Sequence, residues 1–312
     1  MEDELIMSLR KKWLAFVGLL LALLIISVYI FIPAELTVSR IRLVKCNISG
    51  AFRSISDETS WKKWWPVEGI GGYSCQVSGN AYPEVSVSLL EGDAGIRGTV
   101  SLLAVGPFDS TAVMWKCRIR SGLNPLNRVL QYRRAVHIRN TVDNALSLLG
   151  SFLEKKENIY GMDVRNEKSH DSTLIVVQIL TATYPSTAEI YRSIHSIRDY
   201  VSAAGAKEMD YPMLHVLRRK DGMYESMIGI PIDRELKGTR VFVPTRFVPW
   251  KIIMGEVCGG TYTAERAMEQ LDHYVVDHQK TSMAVSFQSL VTERDKEADT
   301  SRWITRVIQP VP

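Results

Sequence analysis

The residue types that most often carry catalysis or bind metal ions are spread thinly through this sequence of 312 residues. The six histidines are scattered; His273 and His278 share a predicted helix but are five positions apart, so they point to different helix faces and form no metal-binding pair. The zinc-protease, phosphate-loop, nucleophile-elbow and dinucleotide-binding motifs are also missing. We therefore predict no metal, no cofactor and no catalytic residues.

Aromatic side chains are the clearest candidates for ligand binding. Three tryptophans fall within the segment Ser60-Trp61-Lys62-Lys63-Trp64-Trp65-Pro66, where Ser60 is expected to cap a single helical turn that Pro66 ends. Trp64 and Trp115 are candidates for the wall of a cavity that accepts a flat apolar ligand. The alternative is that these rings simply fill the core of their domain.

The overall composition is that of an ordinary folded protein. The 38 basic and 34 acidic residues give a net charge of +4, and 46% of the residues are hydrophobic. Such a mixed surface predicts no nucleic-acid partner, and the length fits two domains. The four cysteines have no C-x-x-C spacing and are predicted to be buried thiols, although a bridge from Cys46 or Cys75 to Cys117 is an open alternative.

An uncharged segment runs from Trp13 to Ile32. At about 1.5 Å per residue, a helix of this length spans the roughly 30 Å of a hydrocarbon core. Basic residues 10–12 precede it and the first charge after it is Glu35, so residues 1–12 are expected in the cytoplasm and the domains outside. Because the segment is longer than a signal-peptide core, we expect a single-pass anchor in the cell (inner) membrane.

Residues 34–160 predict an antiparallel sheet with a long helix against it. Strands are expected at 36–46, 73–77, 85–90, 95–105 and 110–119, a short helix after Asn47, and a long helix at 134–157. With the tryptophan-rich turn, this order resembles the SRPBCC superfamily, whose START-like helix-grip fold holds a cavity for an apolar ligand. Cys46–Gly50 replaces the proline-rich lead that is usual before the family's short helix.

Residues 166–312 contain the same pattern twice. The order strand, helix, strand, strand is predicted at 173–180, 187–204, 212–217 and 223–232, and again at 250–257, 263–278, 283–292 and 303–311. Two such β-α-β-β halves side by side would form one sheet with both helices on one face and a groove between the halves. The fold class expected for the whole chain is therefore α+β.

This second region resembles the GyrI-like domain, the effector-binding domain of AraC-type and MerR-type regulators. The matching segments are Gly255–Tyr262 and Asp299–Arg306. The family implies binding of small, often cationic or aromatic, molecules in the groove, and some members resemble hydrolases. Where the family commonly has Glu after an aromatic residue, this chain has Gln288, whose amide can hydrogen-bond but can neither neutralise a cation nor act as a general base.

The groove candidates are one amide, three aromatic residues and one carboxylate that could replace the missing Glu. They are Gln288, Trp250, Tyr262, Tyr211 and Glu225. The alternative for the aromatic residues is a core or surface role, and for Gln288 a place on an exposed strand face.

The expected function is a membrane-anchored, extracytoplasmic protein that binds an amphipathic or aromatic small molecule, for sensing or sequestration. Two alternatives stay open: a hydrolase of small electrophiles in the GyrI-like domain, and a scaffold that binds another envelope protein. A buried acid facing the groove would favour the hydrolase, and an exposed apolar patch beside a closed groove would favour the scaffold. No helix-turn-helix precedes the GyrI-like domain, so direct binding to DNA is not expected.

Overall fold

The structure, a computed structural model, describes residues 2–92, 94–106, 109–169, 172–247, 251–282 and 284–312. The chain divides into two compact units, Met1–Glu154 and Lys155–Pro312. The boundary lies earlier than the expected one between residues 160 and 166, because Tyr160 packs on Tyr274 of the second unit with ring centroids 5.1 Å apart.

Helix α1 spans Glu2–Phe31 and contains the predicted apolar segment except for its last residue, Ile32. Residues Lys12–Phe31 have a mean hydropathy of 2.9, and none of this stretch is buried. By length and composition, this helix is able to cross a membrane.

The first unit contains a sheet of five antiparallel strands in the order β1-β5-β4-β3-β2. The strands are β1 Glu35–Val44, β2 Ser74–Ala81, β3 Glu84–Glu91, β4 Ala94–Ala104 and β5 Thr111–Arg120. Alternate residues of β5 from Thr111 to Ile119 are buried, as expected for a sheet with one covered face. The predicted antiparallel meander is confirmed.

Besides α1, the described part of the first unit contains three helices: α2 Ile48–Ser56, α3 Glu58–Trp61 and α4 Pro125–Leu153. Helix α4 packs on β1 and β5 and buries the predicted stripe that includes Val142 and Leu149. It begins at Pro125 and not at Arg134 as predicted, because the Asn124 side chain accepts a hydrogen bond from the backbone N–H of Leu126 (2.9 Å) and proline fits the first helical turn.

The predicted cap of the tryptophan-rich turn is wrong by three residues. Asp57, not Ser60, precedes α3, and its carboxylate accepts a hydrogen bond from the backbone N–H of Thr59 (3.1 Å). Ser60 lies inside the helix and donates its hydroxyl to the same carboxylate (2.9 Å). Hydrogen bonds from the Thr59 side chain and from Ser60 lower the pKa of Asp57 below its usual 3.8.

A carboxylate with a lowered pKa stabilises the fold above its unfolded-state pKa, and this contribution is lost as the pH falls through the folded-state value. Asp57→Asn keeps an N-capping side chain but has no carboxyl group to protonate. We therefore expect acidification from neutral pH to about pH 3 to lower the melting temperature of this variant less than that of the wild type. Thermal unfolding at both pH values measures this. An identical loss in both proteins would contradict the assignment of Asp57 as the cap.

The described residues of the second unit form eight strands, two long helices and one short helix. They are α5 Lys156–Tyr160, β6 Arg165–Lys168, β7 Ser172–Thr181, α6 Thr187–Ala203, β8 Met213–Arg218, β9 Tyr224–Ile232, β10 Val243–Phe247, β11 Lys251–Cys258, α7 Thr261–Asp277, β12 Phe287–Leu290 and β13 Ile304–Val311. A 3-10 turn at Thr300–Arg302 precedes β13. The strands form one antiparallel sheet in the order β10-β7-β9-β8-β12-β13-β11-β6.

The two predicted β-α-β-β segments occupy this sheet in mirrored order. One contributes β7-β9-β8, the other β12-β13-β11, and they meet at the β8-β12 pair. Gln288 lies opposite both Leu214 and Val307, so these three side chains share a face. Leu214 belongs to the core under α6 and Val307 to the core under α7, so both helices cover this face, which we call the helix face.

The opposite face of the second sheet is strongly curved. The Phe247 ring on β10 and the Phe287 ring on β12 lie 5.8 Å apart, although the two strands are four steps apart in the sheet order. A flat sheet would separate them by roughly 19 Å, at about 4.8 Å per step. We call this side, which lies opposite α6 and α7, the concave face.

Candidate ligand-binding site

The structure separates the residues predicted to line one groove. Gln288 is buried on the helix face and not on an exposed strand face. Ser226 lies two positions before Ile228 on the same strand, so both side chains are on the helix face. Glu225 is the neighbour of Ser226, and its side chain therefore lies on the concave face. It therefore does not replace the missing carboxylate beside Gln288.

The two described aromatic candidates are not brought to Gln288 either. The guanidinium carbon of Arg306 lies 5.5 Å from the centroid of the Tyr211 ring. Arg306 lies opposite Ser289 in the strand register, and both side chains face the concave side, so Tyr211 is on that side as well. Tyr262 is exposed in the first turn of α7. Trp250 lies outside the residues that the structure describes.

Contacts connect Gln288 with several other side chains, and we call this group with Gln288 the central cluster. Gln288 and Arg294 both act on Tyr184. The Tyr184 ring contacts Tyr224, and Arg294 contacts Tyr191 and Trp303. The members of the cluster come from the segment before α6, from α6, from the start of β9, from β12 and from the segment between β12 and β13. They are Tyr184, Tyr191, Tyr224, Gln288, Arg294 and Trp303. Trp303 lies within a segment that carried the GyrI resemblance, whereas Tyr184 and Arg294 lie between elements, where the sequence shows no periodic pattern.

Arg294 is the charged member of the central cluster. One guanidinium nitrogen donates to the Thr305 hydroxyl (2.7 Å), and the guanidinium carbon lies 5.0 Å from the centroid of the Trp303 ring. Its backbone N–H donates to the Tyr191 hydroxyl (2.8 Å), which itself donates to the carbonyl of Thr292 (2.9 Å). These contacts hold the Arg294 side chain in place inside the unit.

No carboxylate among the described residues compensates the charge of Arg294. Only 5% of Arg294 and 6% of Gln288 is exposed, and among the described residues no carboxylate forms an ion pair with Arg294. Arg294 Nε and Gln288 Oε1 have no hydrogen-bond partner within the described part of the chain. Buried polar groups are normally paired, so two unpaired atoms in one cluster call for a functional explanation.

The pKa values of the cluster report the same environment. Burial lowers the pKa of the Arg294 guanidinium. Burial also raises the pKa of Tyr184, and the charge of Glu265 raises it further. The Gln288 side chain and the charge of Arg294 lower this pKa, but by less. The Tyr184 ring contacts the Tyr224 ring edge to face, with centroids 5.9 Å apart. The central cluster is therefore aromatic and poorly hydrated, and its one buried charge is positive.

The concave face carries a separate cavity of about 470 Å³. Its apolar lining comes from Met213, Phe247, Ile252, Met254, Phe287 and Ile308. Asp233 stands at its rim beside Arg234, which lowers the pKa of the Asp233 carboxyl to about 2. The volume is in the range of small-molecule sites. Phe287 and Ser289 line this cavity while Gln288 between them faces the central cluster.

No protein-family model and no curated protein matches this chain. Among solved structures, the chain resembles the C-terminal domain of EcmrR at 11% identity and a TM-score of 0.42, over 48% of this chain and 98% of that one. SAV2435 bound to tetraphenylphosphonium matches at 14% identity and a TM-score of 0.32, over 48% and 94% of the two chains. A hydrolase from Listeria innocua matches at 10% identity and a TM-score of 0.37, over 48% and 92%.

The tryptophans of the first unit form a contiguous cluster. Trp61 lies 4.6 Å from Trp64 and 6.0 Å from Trp115, and Trp65 lies 6.3 Å from Trp115, measured between ring centroids. All four side chains are buried. Trp64 and Trp115 thus pack within the core, which is the alternative that the sequence left open for them, and neither lines the large cavity described next.

A cavity of about 1250 Å³ in the first unit has a basic lining. The cations are Arg97, Lys116, Arg118, Arg120 and Arg134, and the carboxylate among the lining residues is Glu35. Glu35 lies 3.8 Å from Arg118, while Arg134 pairs with Glu91 (2.9 Å). This cavity suits an anionic partner and not an apolar ligand.

Metal binding and disulfides find no support in the described part of the chain. Its histidines, cysteines and carboxylates form no group of three that could hold a metal ion. None of the four cysteines forms a disulfide, so neither bridge to Cys117 is formed. Burial raises the pKa of the Cys117 thiol to about 11, which makes it unreactive in the folded protein.

Proposed function

We propose that this chain is a membrane-tethered protein that binds a small aromatic molecule, neutral or anionic, at the central cluster. The observation that carries the proposal is the buried guanidinium of Arg294, which among the described residues has no carboxylate partner and an unpaired Nε. The same cluster holds the unpaired carbonyl of Gln288. A ligand that pairs with these atoms would supply the hydrogen bonds that the described residues leave unmade.

The surroundings of Arg294 define the ligand class. Tyr184, Tyr224 and Trp303 offer ring surfaces to a flat molecule. Arginine binds carboxylates and sulfonates through paired N–H donors, whereas a cation beside Arg294 would be repelled at low dielectric. Gln288 supplies no negative charge to offset this repulsion. An aromatic acid pairs with Arg294, whereas an aromatic cation would be repelled by Arg294 and would rely on the charge of Glu265 near Tyr184.

Helix α1 provides the tether in this proposal. Its apolar stretch Lys12–Phe31 is long enough to span a bilayer. The basic residues 10–12 favour a cytoplasmic N-terminus, with both units on the other side of the membrane. A soluble ligand would then meet the second unit outside the cytoplasm, as in a sensor or a sequestering protein.

A pair of probes of similar shape and opposite charge tests the ligand class. We expect the full chain in lipid nanodiscs to bind benzenesulfonate at least about tenfold more tightly than phenyltrimethylammonium, because a charge-assisted hydrogen bond contributes about 1.5–3 kcal/mol. Isothermal titration calorimetry measures both affinities. Gln288→Glu should weaken the sulfonate and strengthen the ammonium probe, because the new carboxylate would neutralise Arg294.

Arg306→Met is the matched control for this test. Arg306 lies on the concave face and pairs with Glu256 (3.0 Å), so its removal should leave both affinities unchanged. Equal affinities for the two probes, or a preference for the ammonium probe, would contradict the proposed ligand class. A loss of sulfonate binding in Arg306→Met would move the site to the concave cavity.

A further inference from the structure

The N-terminal half of α4 presents apolar side chains to solvent. Leu123, just before the helix, is 81% exposed, and Leu126 and Leu130 in its first turns are 75% and 61% exposed. Val129, Tyr132 and Val136 extend the same surface. We call these six residues the α4 stripe.

The α4 stripe is not the side of the helix that packs on the sheet. The buried residues of this half are Arg128, Ala135 and Ile138, which lie on the side of the helix away from Leu126 and Leu130. A helix on the surface of a soluble protein normally has polar residues opposite its buried face. The outer side of this half of α4 exposes six large apolar residues with Arg133 among them, a pattern that suits an interfacial partner.

The α4 stripe begins where the apolar helix α1 ends. The Tyr29 hydroxyl donates a hydrogen bond to the carbonyl of Leu123. Arg128 donates to the carbonyl of Ile32 (2.7 Å), and its guanidinium carbon lies 4.4 Å from the centroid of the Tyr29 ring. Tyrosine and arginine at the end of a membrane helix are typical of the lipid–water interface. If α1 spans a bilayer, the surface of that bilayer would lie at the level of Leu123.

Basic residues lie beside the α4 stripe. Arg120 lies opposite Glu35 in the sheet register, and Glu35 comes four residues after the end of α1. Gln131 and Arg134 of α4 line the basic cavity of about 1250 Å³ together with Arg118 and Arg120. Cations next to an apolar interfacial surface favour membranes that contain anionic lipids.

We propose that the α4 stripe lies on the membrane surface at the end of α1, with the anionic phospholipid headgroups of that bilayer against the basic cavity. The proposal rests on the membrane tether described above. Continuity with α1 and the charge of the cavity select a bilayer over a soluble protein as the partner. The first unit is then held at the membrane through a second contact besides its anchor.

Depth-dependent fluorescence quenching in vesicles tests this contact with the full chain. Single cysteines at Leu20, Leu126 and Leu148 carry a small fluorophore, in a background with Cys75→Ser and Cys258→Ser that leaves the buried Cys46 and Cys117. The vesicles contain phosphatidylglycerol and lipids with a quencher at a shallow or a deep position. Leu148 lies on the exposed side of the C-terminal half of α4 and serves as the matched control.

The proposal expects the shallow quencher to remove most of the fluorescence at residue 126 and none at residue 148, and the deep quencher to act at residue 20. Quenching at residue 20 without quenching at residue 126 would overturn the surface contact and leave the tether intact. Absence of quenching at residue 20 would instead reject the tether. Leu123→Cys is a second probe of the stripe if Leu126→Cys folds poorly. Equal quenching at residue 126 in vesicles of neutral lipid would refute the role of the anionic headgroups.

Discussion

Replacement of Arg294 by methionine is expected to raise the stability of the second unit and to abolish its ligand binding. Burial disfavours the charged guanidinium, so this side chain destabilises the fold at neutral pH. Methionine keeps a similar length without the charge, and we expect the free energy of unfolding to increase by about 1–3 kcal/mol. The gain is reduced by the lost hydrogen bond to Thr305 and the lost contact with Trp303.

Hydrogen exchange of the β9 and β13 amides measures this stability in the full chain. Binding of benzenesulfonate to the same variant should fall at least tenfold, the factor that corresponds to about 1.4 kcal/mol. Arg306→Met again serves as the control and should change neither quantity strongly, because its ion pair with Glu256 is partly exposed. A destabilised Arg294→Met variant would show that Arg294 is a structural residue and not a ligand-binding one.

Replacement of Trp115 by alanine is expected to lower the stability of the first unit by about 3–5 kcal/mol, the usual cost of removing a buried tryptophan. Trp115 is fully buried and contacts the rings of Trp61 and Trp65. Alkylation of the buried thiols Cys46 and Cys117 at increasing urea concentration reports the opening of this unit, in the background without Cys75 and Cys258.

Leu103→Ala is the control for Trp115→Ala. Leu103 lies on β4 and is exposed, so its truncation should change the stability by no more than about 0.5 kcal/mol. A small effect of Trp115→Ala would contradict the packed core and favour the cavity-wall alternative for Trp115.

The regular elements could be predicted because their periodicity is strong. The helix predicted from Ile190, Ile194, Ile197 and Val201 is α6, and all four residues are buried in its core. Strand β6, Arg165–Lys168, was missed because its four residues are exposed and polar, so it has no apolar alternation. The start of α4 was misplaced because the apolar residues of its first turns are exposed, and a search for a core-facing stripe does not find them.

The candidate site was only partly predictable. Gln288 could be found from its position after the aromatic Phe287 in a strand, and the structure buries it. Arg294 and Tyr184 lie in segments without periodic pattern, so only the folded unit shows that Tyr184 meets both Gln288 and Arg294. Glu225 was assigned to the groove without its strand register, and a shift of one residue along a strand reverses the face to which a side chain points.

The central claim is that a ligand anion contacts the side chain of Arg294, and nuclear magnetic resonance of the full chain with ¹⁵N-labelled arginine tests it most directly. The Nε–H signal of Arg294, identified by its loss in Arg294→Lys, should shift when benzenesulfonate is added, because this nitrogen has no partner among the described residues. The signal of Arg306 should stay in place. An unchanged Arg294 signal while calorimetry records saturated binding would contradict the claim and place the ligand elsewhere in the chain.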